Sequence, residues 1–172
     1  QHFSAYALSI EPKTALKHLI DTKAILPLED KTTIEHFNTL IRLAAENNFI
    51  HYEISNFGKK GFFSNHNSAY WKNQYYLGIG PSAHSFNGAS RQWNIPSNKQ
   101  YIEKIKTKES YFEIEQLNNH QQYNEYIFTG LRAIWGVNID YIKSQFGKDA
   151  NEYFEQQIGN WITQKKVKKK NK

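Results

Sequence analysis

The residues of this chain best suited to chemistry are its histidines, because it has seven of them and no cysteine. Three of them, His51, His66 and His84, fall within residues 51–86. That stretch also holds nine aromatic side chains and four of the nine glycines. Inside it, His66-Asn67-Ser68-Ala69-Tyr70 combines an imidazole, a carboxamide and a phenol. Imidazole can ligate a metal or haem iron, and a tyrosine oxygen can ligate ferric haem iron. In a helical turn, positions 66 and 70 share a face, and Asn67 is placed to orient a ligand by hydrogen bonding. On these five residues alone, a histidine hydrogen-bonded into a loop is the more ordinary reading.

Two further groups lie close by in sequence. Glu53 sits on the polar side of an alternating run, Ile50-His51-Tyr52-Glu53-Ile54-Ser55. A buried carboxylate must be paired, either with its own protein or with a ligand, and the residues favour neither. Gly78-Ile79-Gly80-Pro81-Ser82-Ala83-His84 lets backbone approach a ligand closely at Gly78 and Gly80 or adopt an unusual φ. It is not a phosphate-binding P-loop, since it lacks the lysine and the spacing. His84 suits a ligand-facing role, although an inward, satisfied histidine explains it too.

The elements that must position these groups follow from hydropathy. Phe3–Ile10 is a continuous run of apolar and small residues, the pattern of a parallel strand buried on both faces. A short helix is predicted over 14–22. A longer one opens at Leu28-Glu29-Asp30, carries Ile34, Phe37, Ile41, Ala44 and Ala45 at helical spacing, and ends at Asn47-Asn48. The alternation over 50–57 predicts a strand, completing a β-α-β order. Residues 58–98 are irregular, with a strand predicted at 75–81. After a composition shift near Pro96, the pattern predicts a helix over 97–106, an extended piece over 111–117 and three helices. The second of these is closed by Gly147, and the third is opened by a capping box of Asp149 and Glu152. Long aromatic-rich loops such as 58–98 usually carry function.

Composition narrows the class. The 172 residues include enough apolar material, 39%, for a packed core. Without cysteine there are no disulfides, thiolate zinc sites or iron–sulfur ligands in this stretch. No run has the length of a membrane-spanning helix and no signal peptide opens the chain, so a cytoplasmic setting is expected. The net charge of +6 comes from the tail Lys165–Lys172, which holds six lysines. Such a tail suits nucleic acid or an anionic membrane surface, but most such tails are solvated chain ends. Without a recognition-helix pattern of arginine and polar residues, no nucleic-acid partner is expected. Peripheral membrane association stays open. The chain starts at Gln1 within an apolar run and has no methionine, as expected of a piece of a longer protein.

Several runs in series carry a resemblance. They are Glu11-Pro12 after an apolar run, His51-Tyr52-Glu53-Ile54-Ser55-Asn56-Phe57, His66-Asn67-Ser68-Ala69-Tyr70-Trp71, Tyr76-Leu77-Gly78-Ile79-Gly80-Pro81-Ser82-Ala83-His84-Ser85-Phe86, and Gly130-Leu131-Arg132 followed by Gly136-Val137. Together they resemble the HemW branch of the radical-SAM proteins, a group related to oxygen-independent coproporphyrinogen III oxidase. The resemblance covers essentially the whole chain. It implies an α/β fold: residues 1–96 as the C-terminal part of a partial (β/α)6 TIM-like barrel, and 97–172 as a small, mainly helical C-terminal domain of HemN type, not complete. It implies a [4Fe–4S] cluster and S-adenosylmethionine in the full-length protein. The Cys-x-x-x-Cys-x-x-Cys motif and most S-adenosylmethionine contacts would then lie upstream, leaving this stretch inactive alone.

One motif separates the branches. True coproporphyrinogen oxidases are similar to His-Arg-Asn-Phe-x-Gly-Tyr at this point, whereas the HemW branch has His-Asn-x-x-Tyr, which His66, Asn67 and Tyr70 match. The resemblance implies haem binding there, with His66 as the metal ligand and Asn67 and Tyr70 beside it. Glu53, Gly78, Gly80 and His84 complete the candidate cofactor-binding set. The implied function is a haem chaperone that delivers haem to acceptor proteins. The alternative is oxidative decarboxylation of coproporphyrinogen III.

Overall fold

The computed structural model describes residues 1–170; Asn171 and Lys172, the end of the lysine tail, lie outside the described residues. It is a mixed α/β structure that divides into two compact units, 1–68 and 69–172.

The first unit is a small antiparallel sheet with two helices. Strand β1 (His2–Ser4) and strand β2 (Ile50–Glu53) flank β3 (Asn56–Gly58), giving the order β1-β3-β2. Every ladder is antiparallel. Helices α1 (Ala15–Asp21) and α2 (Asp30–Glu46) connect β1 to β2, and both fall where the sequence predicts them. Thr14 caps α1, its hydroxyl accepting from the Lys17 amide. The interior is a run of ring contacts. Phe3 stacks on Phe57 at 4.8 Å and meets Phe49 edge-on at 5.1 Å. His51 stacks on the other side of the ladder against Phe57 at 4.4 Å and receives Phe37 of α2 edge-on.

Three sequence expectations change here. The run 3–10 is not a doubly buried parallel strand. Only its first two residues join β1, an edge strand, while Tyr6 and Leu8 are exposed. Apolar content alone cannot tell a buried strand from an extended segment. The run 50–57 is not one strand but a hairpin, turning at Ile54-Ser55, with an irregular register between His51 and Glu53. Its polar-out alternation also fails: adjacent residues Tyr52 and Glu53 are both buried, so both faces of β2 are covered at its end.

The second unit joins a sheet to a helical array. Strands β4 (His84–Phe86), β5 (Ser90–Asn94) and β6 (Phe112–Gln116) form an antiparallel meander. Helix α4 (Asn98–Thr107), capped by Ser97, links β5 to β6. The predicted strand 75–81 reduces to one bridge, Tyr76 to Phe86. Helices α5 (Asn119–Gly130), α6 (Ile139–Phe146) and α7 (Lys148–Thr163) follow. The capping box forms at α5, between Asn118 and Gln121, and not at Asp149. Glu152 pairs instead with Lys148, and Gly147 both ends α6 and precedes α7 with φ +90. Ile142 and Phe154 fill the helical core. Short helix α3 (Asn65–Trp71) runs through the point where the two units divide.

Core packing should decide the stability of the helical array. Ile142 is fully buried, so Ile142→Ala should cost about 2–5 kcal/mol. Ile114→Ala, on a half-exposed side chain of β6, should cost about 0.5 kcal/mol. Urea unfolding of the two variants checks the contrast.

Candidate functional site

The candidate residues divide between the two units. In the first, the hairpin β2–β3 and the start of α3 are tied together by a buried polar network. Glu53 is 4% exposed. One of its carboxylate oxygens accepts from the Asn56 side-chain amide, and the other accepts from the Ser55 N–H at 3.2 Å. Ser4 in turn donates its hydroxyl to Asn56 Oδ1. The carboxylate therefore holds the hairpin turn and links it to β1, which offsets the cost of burying a charge.

Tyr52 is the second node. Its side chain is completely buried and stacks on Phe63 at 4.4 Å. Its hydroxyl accepts from the Ser64 N–H at 3.3 Å, hydrogen-bonds the Asn67 side chain and lies 2.8 Å from His2 Nε2. Burial pushes the Tyr52 hydroxyl above the ordinary tyrosine range, against the opposing effect of its hydrogen bonds to Ser64 and Asn67. It therefore stays protonated through neutral pH. Ser64 also accepts from the Asn67 N–H at 3.2 Å through its hydroxyl, and its carbonyl takes the Ser68 N–H. These bonds start α3 in the way an N-cap does.

Helix α3 then presents the His-Asn-x-x-Tyr run. Asn67 is drawn inward to Tyr52, Ser68 is buried, and His66 is exposed. The stretch 58–98, read from the sequence as irregular, in fact holds α3, β4 and β5; in α3, His66 and Tyr70 are one turn apart. Imidazole and phenol are both donors that haem iron accepts, and the donor set of α3 therefore fits haem. Among the described residues no group of three or more His, Asp or Glu side chains converges on a metal position. With no cysteine in the chain, its residues do not fit an iron–sulfur cluster.

In the second unit, Tyr70 meets Tyr76 edge-on at 4.8 Å. Tyr76 also touches Arg91, which pairs with Glu125 at 2.8 Å. Partial burial pulls the Arg91 guanidinium down, but Glu125 and Tyr76 more than offset this and keep it cationic. Gly78 and Gly80 have a structural explanation. A Cβ at Gly78 would lie 2.1 Å from the His84 carbonyl oxygen, and Gly80 adopts φ +101. The Ser85 hydroxyl accepts from Gly78 N–H at 3.0 Å, and the Tyr101 hydroxyl accepts from Gly80 N–H at 3.2 Å. Asn94 completes the turn. It is 2% exposed and donates to the carbonyls of Gly80 at 2.9 Å and Gly78 at 3.4 Å. His84 is exposed, near Trp93 across the β4–β5 ladder. Asn94, Ser85 and Tyr101 were not singled out by sequence reasoning; the carbonyls that Asn94 binds lie 16 and 14 residues away, so no local signal marks it.

Comparison with known proteins gives one direction. Residues 117–172 match the family model "HemN C-terminal domain". The chain is 34% identical over 156 residues to "Heme chaperone HemW" of Bacillus subtilis, covering 90% of this chain and 41% of that protein. It is 32% identical over 165 residues to the protein of the same name from Lactococcus lactis, covering 95% and 43%. The chain thus spans less than half the length of these relatives. A solved structure, the coproporphyrinogen III oxidase HemN of Escherichia coli, described as a radical SAM enzyme, aligns with TM-score 0.61 and 14% identity. The alignment covers 81% of this chain and 35% of that one. At that identity the likeness concerns the fold alone. The comparisons thus agree in one direction: the chain is similar to part of the HemW-type radical-SAM proteins, and its last third matches the HemN C-terminal domain.

The two kinds of glycine separate cleanly by substitution. Gly78→Ala drives Cβ into the His84 backbone and should cost about 3 kcal/mol or more. Gly159→Ala, inside α7 with nothing within 4 Å of the new Cβ, should gain about 1 kcal/mol. Thermal melts of both variants read the opposite signs.

Proposed function

We propose that this chain is the haem-handling part of a haem chaperone, with His66 on α3 as the ligand to haem iron. One observation carries the reading: the His-Asn-x-x-Tyr run forms a helix in which Asn67 is tied into the interior and His66 is exposed. Haem is the cargo. A chaperone's ligand must be reachable by the acceptor that takes the haem away, and an exposed histidine on a short, anchored helix meets that need. Tyr70, one turn on, is a second donor, offering an oxygen to ferric iron. His84 is an outer candidate. Glu53, Gly78 and Gly80 act through the hairpin and turn that they hold.

The names of the relatives support this reading over coproporphyrinogen oxidation, for which only the fold likeness speaks. Residues 1–96 would complete a partial (β/α)6 barrel in the full-length protein, and 97–172 would form the appended domain. A [4Fe–4S] cluster and S-adenosylmethionine would be supplied upstream, and any step they perform lies outside these residues. Among the described residues no helix is long and apolar enough to cross a membrane, and we take the cytoplasm as the setting in which haem-accepting proteins are met. The lysines at 165–170 would favour transient contact with an anionic membrane surface.

Haem titration of the full-length protein tests the assignment. His66→Ala should weaken haem binding at least tenfold (about 1.4 kcal/mol) and shift the Soret band. Unchanged affinity with an unchanged spectrum would remove His66 as the ligand.

A further inference from the structure

We infer that Tyr52 is the positioning residue for the haem ligand: its hydroxyl sets the start and the rotation of α3, and so the direction in which His66 is presented. The inference rests on the proposal that His66 binds haem iron.

The hydroxyl sits where three segments meet. It accepts from the Ser64 N–H immediately before α3, it bonds the Asn67 side chain in the first turn, and it is 2.8 Å from His2 on β1. Ser64 and Asn67 flank His66 on both sides along the chain, so a single atom governs the backbone just before the ligand and the side chain just after it. A helix of seven residues has little intrinsic stability. Its orientation must therefore come from such tertiary bonds. The Tyr52 ring is held in place by its complete burial, with Phe63 stacked on it as one of its contacts. Removing the hydroxyl would leave a part-buried N–H and a carboxamide without this partner, and such groups rearrange to recover one. The natural rearrangement turns Asn67, and with it the helix. Helical side chains are rotated by 100° per residue, so a modest turn of α3 re-aims the neighbouring imidazole.

Three variants of the full-length protein separate this role from general packing. Tyr52→Phe removes only the oxygen. Phe63→Leu perturbs the same core but leaves the hydroxyl and its bonds. His66→Ala reports whether the ligand assignment itself stands. The inference expects Tyr52→Phe to weaken haem binding about tenfold, to move the Soret band, and to alter the low-temperature EPR of the ferric complex. It expects Phe63→Leu to lower the melting temperature without moving either spectrum. If Tyr52→Phe does not give a cooperative melt, Asn67→Ala removes the same bond from the other side and should produce the same spectral change. The inference is overturned if Tyr52→Phe keeps the wild-type spectra while His66→Ala changes them, or if Phe63→Leu shifts the spectra equally. If His66→Ala itself changes nothing, it is the ligand proposal that fails.

Discussion

The first unit depends on satisfying polar groups that its own folding buries. Tyr52 and Glu53 are consecutive residues at the end of β2, and a strand must send them to opposite faces. Both faces are covered, so each needs its own set of partners. Glu53 finds them in the hairpin turn through Ser55 and Asn56, and Tyr52 finds them in Ser64, Asn67 and His2. The register of β2 against β3 shifts between His51 and Glu53, at the point in the strand where Tyr52 and Glu53 lie. From these bonds come the tightness of the hairpin, the start of α3 and the exposed position of His66. Leaving either group unpaired would cost more than most surface interactions in the chain contribute.

The second unit uses a related device with backbone in place of side chains. Close approach between Gly78 and the His84 carbonyl leaves no room for a Cβ, and Asn94 gathers the two glycine carbonyls from beneath. A glycine-rich run that invites a ligand-binding reading is held by its own protein. The same lesson applies to Glu53. Residues chosen for their chemistry turn out to be the ones whose structural partners are most specific, because buried polar groups demand them.

Much of the helical structure was legible. Helices α1, α2, α4 and α6 follow from caps and apolar spacing, since those signals act within a few residues. The strands were less so. The run 3–10 has the composition of a buried strand, yet strand pairing is a long-range property, and only His2–Ser4 finds a partner. The hairpin at 54–55 carries no glycine in its turn, so the usual turn signal was missing. Of the candidate site, the run His66-Asn67-Ser68-Ala69-Tyr70 was legible as a motif, but its helix was not, because a seven-residue helix has little apolar periodicity of its own and is set by tertiary bonds. The inward bond of Asn67 was not legible either, because its partner Tyr52 lies fifteen residues earlier in the sequence. Asn94 was missed for the same reason: its partners are distant carbonyls, and nothing in its own neighbourhood announces them.

The central claim is that an imidazole of α3 holds the haem iron. Resonance Raman spectroscopy of the ferrous complex tests this directly, using full-length protein grown with 15N-labelled histidine. The account predicts an iron–histidine stretching mode that shifts with the label and disappears when His66 is replaced. A ferrous spectrum insensitive to the histidine label, or one whose labelled mode survives the loss of His66, would contradict it.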